Sequence, residues 1–346
     1  MVQKQEKPTA LPGVLPTLAA GFDLTTRYLW LMVIPALLDL FLWIGPRLSF
    51  QTLITTLLAQ IPAEALLMDP RPLLETLAPR LNHFTYLSVS FLGVPALMAG
   101  LSPERTPIAP AVITGGGWGA WAGYLLLFTA GGLLLTALFY NLIAYAMRRA
   151  MIASGRLPAA GGRTTHGERP TTNNPAPSGV ARLTPARFAR RTLQTWFRLM
   201  ALAALGIIVM MAIVIPISLL AGFMALISQT LATFVLFGAI MLIVWALMLL
   251  GFAPQGMLLN PRPFLFAVGD SVRLLQRNLP ASLGLLVIVL LLRRLLSFIL
   301  LSADTGTWVT AILILAHAYI ATALTVALFL FYRDRFVAHL KTVQQT

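Results

Sequence analysis

Long apolar runs separated by short polar breaks dominate the chain. Runs near the length of about 20 residues that a bilayer-crossing helix needs fall at about 28–44, 119–147, 199–220, 231–252, 281–301 and 308–332. They predict an all-α polytopic membrane protein, with six transmembrane helices arranged as three hairpins. Ahead of the first, third and fifth runs lie shorter stretches in which apolar and polar residues mix at helical spacing: Leu15 to Arg27, Ala186 to Arg198 and Asn260 to Asn278. Each reads as an amphipathic helix resting on the cytoplasmic surface of a membrane. The first run contains Pro35 and Asp39 and is stopped by Gly45-Pro46-Arg47.

Residues 47–117 break the rhythm. Their charges balance, Arg47, Arg71, Arg80 and Arg105 against Glu64, Asp69, Glu75 and Glu104, and a neutral loop translocates readily. The segment is nevertheless too apolar for a solvated linker. Helical runs near Phe50 to Gln60 and Pro72 to Leu81 are broken by Pro62, Pro70 and Pro79, so the expectation is an extracytoplasmic, membrane-hugging helical loop. Phe84 to Leu101 is uncharged and 18 residues long but interrupted by Gly93-Val94-Pro95. A seventh span there would send Lys4, Lys7 and Arg27 outside, against the positive-inside bias, so a re-entrant or interfacial segment is the better reading. Gly115, Gly119 and Gly123, spaced by four, fall on one helix face and predict a close helix–helix approach. The motifs of a phosphate-binding glycine loop are missing around them.

Charge orients the pattern. Residues 148–198 carry ten arginines, at 148, 149, 156, 163, 169, 182, 187, 190, 191 and 198, against one acid, Glu168, which places the interval in the cytoplasm. Both termini then lie on the same side. Within it, residues 150–185 are rich in Gly, Pro, Ala, Thr and Asn and read as a disordered basic linker. Arg187, Arg190, Arg191 and Arg198 on the second surface helix, with Arg273 and Arg277 on the third, are the expected contacts for anionic lipid headgroups. Apolar residues make up 58% of the 346 and charged residues 10%, which removes the soluble classes from contention. The net charge of +14 sits in loops and at span ends, so topology accounts for it and nucleic-acid binding is not needed. Cysteine is absent, which excludes thiolate chemistry, and no short apolar core with a cleavage site precedes Tyr28, so no removable signal peptide is read. Of 25 basic residues 22 are arginine, a hint of a GC-rich bacterial genome and hence of a plasma-membrane location.

Ionisable side chains inside spans are costly and are functional candidates by default. Counting at 1.5 Å per residue places Asp39 about 16 Å past Tyr28, Arg293 and Arg294 about as far past Ser282, and His317 about 13 Å from Trp308. Three spans thus bring charge or imidazole to one midplane level. Two readings stay open: a polar site that binds an ion or relays protons, or an Asp39 ion pair with Arg293 or Arg294 that pins two helices. Tyr140, Asn141 and Tyr145 could line a cavity near the inner end of the second span. No H-E-x-x-H or G-x-S-x-G occurs, and His83, His166, His317 and His339 fall in four different regions, so no metal site, cofactor or catalytic centre is expected.

One unit recurs three times: a surface helix, an arginine at its end, an outward span and its return. Leu24 to Leu29, Thr195 to Met200 and Leu274 to Leu279 superpose around Arg27, Arg198 and Arg277. Through these junctions, chiefly Asp270 to Leu279, and through its hydropathy the chain resembles the six-helix membrane domain found beside some bacterial glycerophosphoryl diester phosphodiesterases. In that family the hydrolytic residues sit in a separate soluble barrel, so the resemblance implies a membrane fold and carries over no catalytic residue. The expectation for function is a non-catalytic membrane protein that meets membrane lipid or a membrane protein partner through its basic surface helices. A transporter-like protein using the midplane residues is the alternative, and a lipid-modifying enzyme comes third.

Overall fold

A computed structural model describes residues 11–60, 71–89, 92–100, 102–103, 105–155, 184–259, 264–302 and 304–345. Of the linker expected at 150–185, residues 156–183 lie outside the described residues, while 150–153 end the helix Gly117–Ala153 and Pro185 begins the helix Pro185–Ala225. The fold is helical throughout, with one two-stranded sheet. Among the described residues five helices are long and apolar enough to cross a membrane: α5 (Gly117–Ala153), α6 (Pro185–Ala225), α7 (Gln229–Leu250) running on through the short α8 (Ala253–Leu259), α10 (Leu279–Leu301) and α11 (Val309–Gln345). A sixth exists only if α1 (Val14–Arg27) is joined to Leu29–Ile44, and these two pieces meet at 95°. The first expected run is present at its expected bounds, as Leu29–Ile44, and joins α1 through a sharp bend. Residues 28–44 begin as a 3-10 turn, Leu29–Met32, and continue as a short α2 (Val33–Ile44), because Tyr28 leaves helical torsions at φ −129° and ψ 59°.

The other boundaries follow the hydropathy closely. The surface stretch at 186–198 is not a separate helix, however, but the first part of α6, continuous with its span. The third amphipathic stretch is α9 (Phe264–Arg277), separate from α10 because Asn278 (φ −126°, ψ 39°) and Pro280 restart the helix.

The core sits around α11, whose side chains from Ala321 to Tyr332 are almost all buried. Helices α1, α2, α8, α9 and α10 all touch it. The contact with α1 runs lengthwise: Arg335 donates to the Pro12 carbonyl, Gly21 faces Ala323 and Ala327, and Thr26 and Phe22 reach Tyr319. A Cβ at Gly21 would lie 2.5 Å from the Ala323 carbonyl oxygen, so only glycine permits this approach. Helix α1 thus turns a buried face that includes Gly21 to α11. Helices α6 and α7 form a hairpin on the periphery that exposes apolar side chains, among them Ile208, Leu219, Phe223, Phe234 and Phe237.

The long loop is folded back on itself. Strand β1 (Arg47–Ser49) pairs in parallel with β2 (Val112–Thr114), Leu48 opposite Ile113. Between them lie α3 (Gln51–Gln60), α4 (Arg71–Leu77), and 3-10 turns at Ala78–Arg80, His83–Ser88 and Leu97–Ala99. No described part of 84–101 forms a crossing helix. It wedges instead between α2 and α5, where Val94, Leu97 and Met98 are buried. Gly132 on α5 makes room, because a Cβ there would meet the Leu87 carbonyl oxygen at 2.5 Å.

Candidate functional site

Two places concentrate polar chemistry in the apolar body. The first is built on Asp39. Helix α2 presents it to α11 with no solvent exposure, and a carboxylate stripped of water must find partners. It finds them on two other segments. Its Oδ1 accepts the Met98 backbone N–H at 2.8 Å, and its Oδ2 lies 3.4 Å from His317 Nδ1. One side chain therefore joins α2, the wedged segment and α11. Four residues on, Trp43 is fully buried and donates from Nε1 to the Thr305 carbonyl at 3.0 Å, fixing the same end of α2 to the entry of α11.

The arginines are elsewhere. Arg293 donates from Nη2 to Thr325 Oγ1 at 2.6 Å, and Thr325 in turn donates to the Ala321 carbonyl. Thr325 stands eight residues beyond His317 on α11, about 12 Å along the axis. Arg294 is exposed on a different side of α10. The single midplane level and the ion pair between Asp39 and either arginine are both corrected: the carboxylate meets imidazole and backbone. Tyr140, which interacts electrostatically with Arg293, donates to the Leu92 carbonyl at 2.9 Å and so ties the wedged segment to α5. Asn141 donates to the Ala137 carbonyl and to Thr195 Oγ1, which joins α5 to α6, while Tyr145 is exposed.

The glycine face is also different from the expected one. Gly115 precedes α5, donates its N–H to the Ser49 carbonyl, and stands where a Cβ would be 2.3 Å from the Phe50 ring. At Gly119 and Gly123 a Cβ would meet nothing within 4 Å, so these two pack against no described residue. Of the arginines expected at a headgroup surface, Arg187, Arg190, Arg273 and Arg277 are exposed. Arg191 and Arg198 have taken an internal duty: they donate to the Leu258 and Met257 carbonyls and satisfy the last turn of α8.

The second place went unrecognised in the sequence. Helix α3, the turn at His83–Ser88 and the first turns of α5 enclose a pocket of about 290 Å³. Phe50, Tyr86, Trp118 and Trp121 supply aromatic walls and Leu53, Ile54 and Leu57 aliphatic ones, with Asn82, His83 and Thr85 among the polar lining. Asn82 shapes it, its Oδ1 accepting both the Leu48 and Phe84 N–H groups at 3.1 Å. His83 lies between Phe50 and Tyr86, 4.3 and 5.5 Å from their ring centres. Burial holds its imidazole below the ordinary 6.5, with the nearby Leu48 backbone pulling the other way, so it is neutral at pH 7. The clue available in the sequence was the density of aromatic residues on both sides of a histidine in an outer loop, but they are some 35 positions apart and only the fold joins them.

Among the described residues no group of His, Asp and Glu could hold a metal ion. Compared with known protein families, curated proteins and solved structures, the chain matches none.

Proposed function

We propose that the chain is a six-span integral membrane protein, both termini cytoplasmic, that acts without catalysis by engaging anionic lipid headgroups through its basic face. The observation that carries this reading is a set of exposed arginines, Arg187 and Arg190 on α6 and Arg273 on α9, where Asp270 is the one acid on these two helices. They lie on helices that also expose Leu193, Phe197, Leu265 and Phe266. Guanidinium groups beside exposed apolar side chains match a headgroup layer over an acyl region. Arg148 interacts with Arg191 from the end of α5, so the positive potential extends across two helices. A bacterial plasma membrane, rich in such headgroups, fits the arginine-dominated composition.

The test is the thermal stability of purified protein in bilayers with and without phosphatidylglycerol. Each arginine near an anionic surface contributes about 1 kcal/mol. Wild type should be stabilised by the anionic lipid, salt should erase the gain, and Arg187→Gln/Arg190→Gln/Arg273→Gln should lose most of it. An equal preference in wild type and triple variant would sink the proposal.

One observation favours a second reading, a proton-relaying transporter: Asp39 and His317 form a buried ionisable pair between two helices. Proton flux in sealed vesicles, abolished by Asp39→Asn in a protein that stays folded, is its signature. Flux indistinguishable from empty vesicles removes it.

A further inference from the structure

The aromatic pocket beside β1 is a different matter from the basic face, and its case stands without the lipid reading above. Its walls are apolar, and its volume of about 290 Å³ has room for roughly ten groups of water or methylene size. That falls at the lower edge of small-ligand sites. Its polar lining includes Asn82 and His83, only 4% and 6% exposed, and Thr85, whose hydroxyl already donates to the Asn82 backbone carbonyl. Within the protein Asn82 Nδ2 forms no hydrogen bond, and neither ring nitrogen of His83 forms one of good geometry, although the Leu48 backbone lies close enough to raise its pKa. A buried amide left without a partner is unfavourable, and a bound hydrogen-bonding group would relieve it.

Charge narrows the ligand. Among the described residues no acidic side chain lines the pocket, so a cation would find aromatic faces but no counter-ion there. Two arginines close in sequence to lining residues oppose one as well. Arg47, whose pKa is lowered by burial first and by Arg80 second, lies at the foot of β1 with Nη2 on the Pro103 carbonyl, and Arg80 donates to the Ser102 carbonyl. Neither guanidinium lines the pocket, so an anion has no direct partner there either. A neutral imidazole offers one donor and one acceptor.

We infer that this pocket binds a neutral amphiphile, an apolar chain or ring of about ten heavy atoms whose hydroxyl or carbonyl head is held by Asn82 and His83 and whose body lies among Phe50, Tyr86, Trp118 and Trp121. The same chemistry is supplied by a neutral glycerolipid from the surrounding leaflet and by a free alcohol.

The experiment titrates the full chain in lipid nanodiscs with decanol, decanoate and decyltrimethylammonium, reading tryptophan fluorescence. Two variants accompany it. His83→Phe keeps the aromatic packing and removes the head partner. Gly100→Leu fills the pocket from a position where a Cβ meets nothing within 4 Å. Decanol should saturate a site in wild type, bind about tenfold more weakly to His83→Phe, and lose saturable binding in Gly100→Leu, with the unliganded melting temperatures of all three proteins alike. Equal, non-saturating responses in all three overturn the inference, as does tighter binding of either charged probe. If Gly100→Leu fails to fold, His83→Phe alone decides, since unchanged decanol affinity there overturns the assignment of the head group. Mass spectrometry of lipid retained by the purified protein separates the sources: diacylglycerol kept by wild type and lost from Gly100→Leu marks a leaflet ligand, and decanol binding without retained lipid marks a dissolved one.

Discussion

Replacing Asp39 tests the central junction most directly. In the structure its carboxylate has two partners and the arginines are not among them. Asp39→Ala would strand the Met98 N–H, at about 1–3 kcal/mol for an unsatisfied buried donor, and would leave His317 facing a cavity. Removing one member of a buried pair costs about 3–5 kcal/mol, so a total near the upper figure is expected for Ala. Asp39→Asn should cost less, because an amide oxygen can still accept from Met98 and only the charge toward His317 is lost. The informative experiment is a pair of double-mutant cycles on unfolding of the purified protein, followed by circular dichroism. Asp39→Asn with His317→Gln should show a coupling of about 0.5–3 kcal/mol, as residues in contact do. Asp39→Asn with Arg293→Gln should be additive within about 0.5 kcal/mol, because Arg293 is held by Thr325. The reasoning is refuted if Arg293→Gln, or Arg294→Gln, restores stability that Asp39→Asn removed. That result would mean that an arginine and not His317 neutralises the carboxylate.

Glycines of equal prominence in the sequence should behave oppositely: Gly21→Ala should lower the melting temperature, costing about 1–3 kcal/mol by overpacking against α11, whereas Gly119→Ala and Gly123→Ala should be neutral or stabilising by up to about 1 kcal/mol from helix propensity; matching effects at Gly21 and Gly119 would contradict the packing described. Arg191→Ala should destabilise by about 1 kcal/mol, since a hydrogen bond from a charged donor to the end of α8 is lost at a half-exposed site, and a variant as stable as wild type would return Arg191 to the lipid surface. His83 predicts a pH effect: its folded pKa lies below the unfolded 6.5, so the unfolded chain binds the extra proton first and stability falls as pH drops below 6.5. His83→Phe should flatten that acid limb, and an unaltered limb would show that His83 is not the group responsible.

The apolar runs were legible because their length alone separates them from ordinary helices, and all six appear near their expected bounds, the first as Leu29–Ile44. Hydropathy did not show the 95° bend at Tyr28, where the backbone leaves helical torsions. Depth counting failed for a general reason. Rise per residue gives a level along an axis and says nothing of azimuth or neighbour; α10 packs on α9 and α11, so Arg293 looks at Thr325 and never at α2. The Asp39 partner on the wedged segment is a backbone N–H, which every residue has and no sequence pattern marks. Gly119 and Gly123 have the spacing of a contact face, yet spacing reveals a face and not whether anything covers it.

The threefold repeat gains substance from torsions that hydropathy could not fix. Any surface helix before a span would share a polar-to-apolar transition, but Tyr28 and Asn278, each following its arginine, also share a backbone conformation, φ −129° and ψ 59° against φ −126° and ψ 39°. Six positions before the three arginines stand Gly21, Thr192 and Ser271, all small and all buried. In the first unit that position lets α1 lie against α11; in the third, Ser271 accepts the Phe252 N–H and donates to the Leu249 carbonyl. Both breaks thus fold the preceding helix back onto the bundle and use up its inner face. The middle unit has no break, and α6 runs straight through Arg198. Its first turns, from Pro185 to Arg190, extend past the α8 contact made by Arg191 and stay largely exposed. The absence of a bend is therefore what leaves Arg187 and Arg190 outside the body. The third unit keeps Arg273 exposed despite its bend, so the basic face draws on an unbent helix and a folded-back one.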